Sequence, residues 1–326
     1  MLRAVLLLGG AALLVLLLWR LGPSDVLDTL GRIGWYFVLV LLFGAAHQGT
    51  RAVALYVCVL RRGVLRYGDA LAIRLSGEAI QSLTLTGPVL AEPTKAWLLA
   101  TRGLTLKEGF AATLTEYLIY TFVTAAMSIA GLAYVTVQFD PPATIRVTAT
   151  AIICLCAAYL LAAAIAIARR FYLIGTIIAG LAGVGILRGR LTPDMTWINS
   201  MEDLLLVILR ASPVRFATIA MLEVVAQAWL VFELFWLLRG LDVIAPISLV
   251  FVIEASAKFF EFAFLLIPLQ LGVSEGTYSL IFGVMHLPLA AGFAVAFLRR
   301  ARSLIIASAG MATLALMTRR RRNAIS

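Results

Sequence analysis

Long apolar segments alternate with short polar connections along the 326-residue chain. An α-helix needs about 20 residues, at about 1.5 Å per residue, to cross roughly 30 Å of hydrocarbon. Charge-poor segments that approach or exceed this length occupy residues 4–19, 35–55, 117–137, 147–168, 171–187, 216–238, 243–267 and 276–317. This pattern predicts an all-α, polytopic integral membrane helical bundle with about eight spans, together with broken or re-entrant helices.

Three segments differ from an ordinary membrane span. The first, residues 4–19, resembles a signal peptide but lacks a small-residue cleavage site before Trp19 and Arg20, so we expect a retained first span. Residues 171–187 either cross the membrane or lie along it. Residues 201–209 place Glu202 and Asp203 ahead of an apolar run, which favours an amphipathic helix at the membrane surface.

Composition excludes an ordinary soluble domain. The chain is 62% hydrophobic and 13% charged, with a mean hydropathy of +1.00, whereas soluble domains are about 25% charged. The net charge of +10 comes from basic clusters between apolar segments, at residues 61–66, 169–170 and 319–322. This placement follows the positive-inside rule, so we expect these connections and both termini to be cytoplasmic and exclude nucleic acid as a partner.

Catalytic and metal-binding signatures are absent from the sequence. No HExxH, GxSxG, Walker A, CxxC or aspartate-rich prenyl-diphosphate motif occurs. His47 and His286 stand alone in apolar surroundings, and the three cysteines lie inside apolar runs. We therefore expect no enzyme activity, no cofactor and no metal.

Two prolines mark breaks at membrane depth. Pro88 and Pro268 are each expected to end a helix, and each is followed by a glutamate, Glu92 or Glu275, that opens a new one. At Glu275, Ser274 is a candidate helix cap. Irregular backbone survives inside a membrane only where it is buried in protein or lines a polar cavity, so the two breaks indicate a site.

The residues ahead of the two prolines share their spacing. Arg74, Glu78 and Gln81 precede Pro88 at the intervals at which Glu254, Lys258 and Glu261 precede Pro268. The i, i+4, i+7 spacing puts each triplet on one helical face, where its first two members can pair. Glu116 follows Glu92 by the same interval at which Arg299 follows Glu275. We interpret the chain as one domain, residues 1–326, with internal repeat halves at residues 35–137 and 216–317.

Charged side chains inside apolar runs need compensation, since each costs about 2.5 to 3.5 kcal/mol at the bilayer centre. They either line a polar pocket or pathway or form a structural ion-pair network. Glu223, Gln227 and Glu233 are expected to face the same interior. The arginines near the ends of apolar runs either anchor at the interface or contact lipid phosphates; they are Arg51, Arg299, Arg300 and Arg302.

The candidate substrate-binding residues are the polar side chains around the two breaks. They are Arg74, Glu78, Gln81, Glu92, Lys95, Glu116, Glu254, Lys258, Glu261, Glu275 and Arg299.

The segment Gly77–Thr84, continued through Gly87-Pro88 and Glu92–Leu99, resembles the first signature of a flippase-like family, typified by the membrane domain of lysylphosphatidylglycerol synthases. Pro268–Glu275 is similar to its second signature, although Leu269, Gln270 and Leu271 replace the usual glycines. Arg299 or Arg300 matches an arginine that these proteins carry in the last apolar segment.

The resemblance implies lipid handling at a bacterial inner membrane, with membrane lipids and lipid-biosynthesis proteins as expected partners. The chain ends at residue 326 without a soluble transferase domain, so we expect no aminoacyl transfer to lipid. The leading hypothesis is a translocator for a polar-headed or isoprenoid lipid. The alternatives are a membrane-embedded enzyme or accessory subunit acting on lipid-linked substrates, with Glu92 or Glu275 as acid or base, and a structural membrane protein.

Overall fold

The computed structural model describes residues 31, 33–61, 63–84, 87–139, 141–172, 175–176, 178–180, 194–210, 212–263 and 272–323, with the backbone alone for residues 261–263 and 319–323. This part of the chain contains helices and no strand, which confirms the all-α class. The helices are α1 (Tyr36–Cys58), α2 (Tyr67–Leu83), α3 (Pro88–Ala100), α4 (Leu106–Gln138), α5 (Ala143–Arg169), α6 (Met195–Arg210), α7 (Pro213–Gly240), α8 (Ile247–Ala263), α9 (Val273–Val284) and α10 (Leu289–Asn323).

Five of these helices are long and apolar enough to cross a membrane: α1, α4, α5, α7, and α10 over Leu289–Thr318. Their hydropathy agrees with the predicted spans at 35–55, 117–137, 147–168 and 216–238. The predicted span at 4–19 lies outside the described residues. Each of the remaining helices has fewer than 18 described residues.

Helices α2 and α3 form a re-entrant hairpin. The guanidinium of Arg102, just after α3, lies 3.1 Å from the carboxylate of Asp69 in the first turn of α2, so the chain enters and leaves at one face. Gly87, with φ 47°, turns the chain between the two helices. Pro88 was expected to end a helix, but it begins α3, because a proline at the first helical position loses no hydrogen bond. Glu92 therefore lies one turn into α3, with Pro93 inside the helix.

Helices α8 and α9 form a second short pair. Of the predicted span at 243–267 the structure describes α8, and residues 264–267 lie outside the described part. The segment 276–317 is divided at residues 285–288 into α9 and α10. Val250 near the start of α8 and Met285 at the end of α9 belong to one apolar cluster, which also contains Leu241. Both helices therefore contribute to the same apolar cluster. Pro268 lies outside the described residues.

The long helices meet at two opposite faces. One face contains the end of α1 and the start of α4, because Arg61 reaches the carbonyl oxygen of Gly103 at 3.3 Å and the carboxylate of Glu108 at 3.0 Å. We call it the basic face; its arginines are Arg61, Arg66, Arg102, Arg169, Arg210 and Arg215. At the opposite face Gly240, at the end of α7, packs against Ile33 and Tyr36.

The end of α5 and the start of α7 lie at the same face. Arg210 donates to the carbonyl oxygen of Ala168 at 3.3 Å, and α7 begins at Pro213, so the chain leaves α5 and enters α7 at the basic face. The described residues of 171–187 lie beside α6, where Gly175 N donates to Glu202 at 3.1 Å. The amphipathic helix expected at 201–209 begins earlier, at Met195, and packs its apolar face on α4.

The apolar core is divided by depth. One cluster near the basic face includes Leu55, Leu99 and Ile219. The other, near the opposite face, includes Val40 and Leu237. In α1 the two clusters are separated by His47, Gln48 and Arg51, all of them buried. A polar layer therefore crosses the middle of the bundle, in the part of a membrane where charge is least soluble.

Helices α2 and α10 pack with almost no space between their backbones at Gly310. A Cβ atom there would lie 2.1 Å from the carbonyl oxygen of Leu75 and 2.8 Å from the Cβ of Ala79. We expect Gly310→Ala to separate these helices and to destabilise the protein by about 1 to 3 kcal/mol, the usual range for overpacking. The measurement is the apparent Tm of the purified protein in detergent.

Gly68→Ala in α2 is the matched control, because no atom lies within 4 Å of a Cβ built there. Alanine favours helix over glycine, so its Tm should stay the same or rise. Equal losses of Tm in both variants would contradict the close contact.

Candidate functional site

Glu116 of α4 is the centre of a buried ion-pair cluster in the first half of the bundle. Its Oε1 accepts from Arg51 Nη2 of α1 at 2.6 Å and lies 3.8 Å from Arg74 Nη1 of α2, and its Oε2 accepts from Lys95 Nζ of α3 at 3.1 Å. Lys95 Nζ also lies 2.8 Å from Glu92. Cations from three helices therefore converge on one carboxylate that has no solvent exposure.

The α2–α3 hairpin brings Lys95 to Glu116. The aliphatic part of the Lys95 side chain lies across Gly77 of α2, where a Cβ atom would be 2.7 Å from Lys95 Cδ. One turn along the same helix, Arg74 Nη2 pairs with Glu78 at 3.0 Å, as the i, i+4 spacing predicted. Arg74 Nε also donates to Gln48 of α1 at 3.2 Å.

Arg299 of α10 is the corresponding centre in the second half, with the opposite charge. Its Nε lies 3.0 Å from Glu233 of α7, and its Nη1 lies 2.6 Å from Glu254 of α8 and donates to the hydroxyl of Tyr278 of α9. Glu254 also pairs with Lys258 at 3.0 Å, the second predicted i, i+4 pair. The guanidinium of Arg299 therefore binds side-chain acceptors from three helices.

Arg300 and Arg302 complete the second cluster. Arg300 grips Glu275 through both of its terminal nitrogens, with Nη2 at 2.6 Å from Oε2, and it donates to Ser274 at 3.1 Å. Arg302 pairs with Glu233. Ser274 was a candidate cap for α9, but the N-cap is Gly272, and the Ser274 hydroxyl instead donates to Glu275 at 3.1 Å.

The two halves are tied together along α1 and α7. Arg51 Nε lies 3.3 Å from Glu223, and His47 Nδ1 lies 2.9 Å from the carbonyl oxygen of Ala226. Trp229 Nε1 donates to the hydroxyl of Thr50 at 3.1 Å. His47 thus has a hydrogen-bonded packing role, and Glu223 and Glu233 face the interior as the sequence indicated. Gln227 is buried as well.

One cavity of about 220 Å³ lies between the two clusters. Both short helix pairs contribute to its wall, α2 through Glu78 and α9 through Tyr278. It is lined by Gly44, His47, Gln48, Arg51, Glu78, Gln81, Ser82, Tyr117, Tyr120, Thr124, Leu230, Lys258, Ser274, Tyr278, Ala296, Arg299, Arg300, Arg302, Ser303 and Ile306. Residues from α1, α2, α4, α7, α8, α9 and α10 therefore surround a shared polar space.

The structure places the sequence-predicted residues in two layers. Those that line the cavity are Glu78, Gln81, Lys258 and Arg299. Those buried behind it in the ion-pair clusters are Arg74, Glu92, Lys95, Glu116, Glu254 and Glu275. Glu261 belongs to α8, and its side chain lies outside the described part.

The sequence allowed two roles for the arginines near the ends of apolar runs, interface anchoring or contact with lipid phosphates, and their positions in the structure do not fit anchoring. Arg51, Arg300 and Arg302 line the cavity, and Arg51 has 4% of its surface exposed. Their positions toward the ends of apolar runs suggested snorkelling, but both helices continue well past them. The ring centre of Tyr120 lies 4.0 Å from the guanidinium carbon of Arg51. In the sequence, Tyr120 and Tyr278 are distinguished only by lying one helical turn from a charged residue.

Within the described residues, no group of three His, Cys, Asp or Glu side chains is arranged to hold a metal ion. The carboxylates of the clusters are engaged by arginine and lysine, which compete with a cation for the same oxygens. The described site is therefore an ion-pair network around a polar cavity.

A polytopic helical membrane protein with charged side chains around an internal cavity is the class that this fold and site define. The family described as "Lysylphosphatidylglycerol synthase TM region" matches residues 2–310. The chain belongs to that family, and it is a membrane protein linked to lipid metabolism or translocation. No curated protein and no solved structure matches the chain.

Neutralising Glu116 should be severely destabilising. Glu116→Gln leaves Arg51, Arg74 and Lys95 without their shared counter-charge, and removing one partner of a buried pair costs about 3 to 5 kcal/mol. The control is Arg102→Gln, which breaks the partly exposed Arg102–Asp69 pair and should cost about 1 kcal/mol or less. Thermal unfolding in detergent compares them, and equal stability losses would refute the central role of Glu116.

Proposed function

We propose that the protein is a lipid translocator of the bacterial inner membrane. The polar head group of an amphiphile passes through the central cavity while its tails remain in the bilayer. The observation that carries this proposal is the cavity itself: charged side chains from both short helix pairs surround one space in the middle of the bundle. A polar head group inside hydrocarbon needs such partners.

The order and direction of the helices support translocation. In the first half, α1 runs toward the basic face, the α2–α3 hairpin enters from that face, and α4 runs away from it. In the second half, α7 runs away from the basic face, the α8–α9 pair begins and ends near the opposite face, and α10 returns. We infer an inverted repeat of residues 35–137 and 216–317, a construction that places substrate between halves that rock against each other.

An enzyme acting on lipid-linked substrates is less well supported. Glu92 and Glu275, the candidate acid or base residues, are buried behind the cavity and are absent from its lining. Arg300 also engages both oxygens of Glu275. Glu78, the one carboxylate among the described lining residues, is paired with Arg74 at 3.0 Å.

A purely structural role does not account for the cavity. A network that only held helices together would gain stability by packing without a void, because empty space forfeits contacts. Here Gln48, Gln81 and Ser82 add hydrogen-bonding groups to the same wall as the ion pairs. This lining suits a polar guest, and the proposal extends to lipid-biosynthesis proteins as partners that supply it.

Filling the cavity should abolish transport. Ser303 of α10 lines it, so the indole of Ser303→Trp would occupy space that the head group needs. We expect the flipping rate to fall at least tenfold in proteoliposomes with a fluorescent lipid, where a membrane-impermeant reductant measures the fraction of head groups that change leaflet. The assay starts with a panel of phospholipids and isoprenoid phosphates.

Ser308→Trp is the matched control, because Ser308 lies on the same helix but is exposed and outside the cavity. Its flipping rate should stay within twofold of the wild type. Wild-type flipping no faster than in protein-free liposomes, across the whole panel, would refute the proposed function. Product formed from a lipid substrate would favour the enzyme.

We also propose that the basic face and the chain termini are cytoplasmic, following the excess of arginine. In a cysteine-free background, Ile244→Cys at the opposite face, where Ile244 is 87% exposed, should react with an impermeant maleimide in intact cells. Arg66→Cys at the basic face should react only after the inner membrane is permeabilised. The reverse labelling pattern would invert this topology.

A further inference from the structure

The charges that face the cavity are strongly one-sided. Among its described lining residues, five carry positive charge and one carries negative charge. The cations are Arg51, Lys258, Arg299, Arg300 and Arg302, and the carboxylate is Glu78. A guest in this space therefore meets cationic side chains from α1, α8 and α10.

The balancing carboxylates lie one layer further back. Glu116, Glu223, Glu233, Glu254 and Glu275 have no solvent exposure and are absent from the lining. They hold the arginines and the lysine through pairs such as Arg51–Glu116 at 2.6 Å and Arg299–Glu254 at 2.6 Å. The carboxylates compensate the positive charges inside the bundle and fix the positions of the cationic side chains. The cationic side chains lie between the carboxylates and the guest.

The chemistry of arginine determines which class of ligand this cavity wall can bind. A guanidinium presents its N–H donors in a planar fork that matches the oxygens of a phosphate. Arg299, Arg300 and Arg302 lie within one turn of α10 and all reach the cavity. Charge-assisted hydrogen bonds to several such forks are stronger than neutral ones, especially away from water.

We propose, on the basis of the function proposed above, that the head group carried by this cavity is a phosphate-bearing anion. Its phosphate oxygens bind the guanidinium groups of α10 and Arg51, and Lys258 contributes a further positive charge. A lipid with a net cationic head group is disfavoured, because it would face five like charges and one carboxylate. Anionic phospholipids and isoprenoid phosphates have the required chemistry.

Equilibrium binding tests this inference separately from transport. The purified protein in nonionic detergent is titrated with dioctanoyl lipids that carry phosphatidate, phosphatidylglycerol, a trimethylammonium group without phosphate, or a free hydroxyl. We expect the two phosphate lipids to bind at least tenfold more tightly than the other two. Inorganic phosphate, titrated alone and as a competitor, separates a lipid ligand from free phosphate.

The variant is the double substitution Glu275→Gln with Arg300→Gln, which removes one cation from the wall together with its buried partner and leaves the net charge unchanged. We expect about tenfold weaker binding of phosphatidylglycerol. The matched control is Asp69→Asn with Arg102→Gln, an ion pair outside the cavity whose removal should leave binding within twofold. Gel filtration and Tm establish that both variants fold.

Each outcome has one meaning. Equal or tighter binding of the trimethylammonium lipid, or unchanged binding in the folded Arg300 variant, overturns the anion assignment. Phosphate-selective binding without lipid flipping supports the anion assignment and contradicts translocation. Inorganic phosphate that binds as tightly as the phosphate lipids supports the phosphate chemistry and identifies a soluble ligand.

Discussion

The compensation of buried charge organises this protein. Seven cations and seven carboxylates lie in or beside the cavity, and in the described structure each is held by at least one partner of opposite charge. They are Arg51, Arg74, Lys95, Lys258, Arg299, Arg300 and Arg302, with Glu78, Glu92, Glu116, Glu223, Glu233, Glu254 and Glu275. A single such charge in hydrocarbon costs about 2.5 to 3.5 kcal/mol on insertion scales, so the helices must assemble in a way that satisfies all of them.

This constraint explains the two short helix pairs. A helix that crosses the whole bilayer presents its polar groups at fixed depths, whereas a hairpin that stops at mid-depth can bring a lysine such as Lys95 to a partner on another helix. The break between α2 and α3 requires a turn with positive φ, which Gly87 provides, and Gly272 provides one before α9. The backbone groups freed at such breaks need protein around them, and the long helices α4 and α10 each pack against both pairs.

The same arrangement connects stability with function. Buried ion pairs seldom gain much net stability, because desolvation offsets the attraction between the charges. Here five of the seven cations face the cavity, and six of the seven carboxylates stand behind it. Glu116 collects cations in the first half and Arg299 collects carboxylates in the second, and the Arg51–Glu223 pair joins the two halves.

Much of this architecture can be read from the sequence. Hydropathy located α1, α4, α5 and α7 because the apolar length needed for a span is set by the bilayer, and the family signature around Glu92 identified the class. The i, i+4 spacing predicted both intrahelical pairs, since residues four apart always lie on one helical face.

The tertiary structure alone decided which charges share a space. Helical periodicity determines which face of α1 carries Arg51, but it does not determine which helix packs against that face. The packing of α1 against α4 and α7 makes Arg51, a candidate interface anchor in the sequence, part of the cavity wall. The direction of the hairpins was likewise undetermined, because a 17-residue apolar helix reads the same whether it crosses or returns. Sequence determined that charge lies at membrane depth; three-dimensional packing determined which charges pair and what they surround.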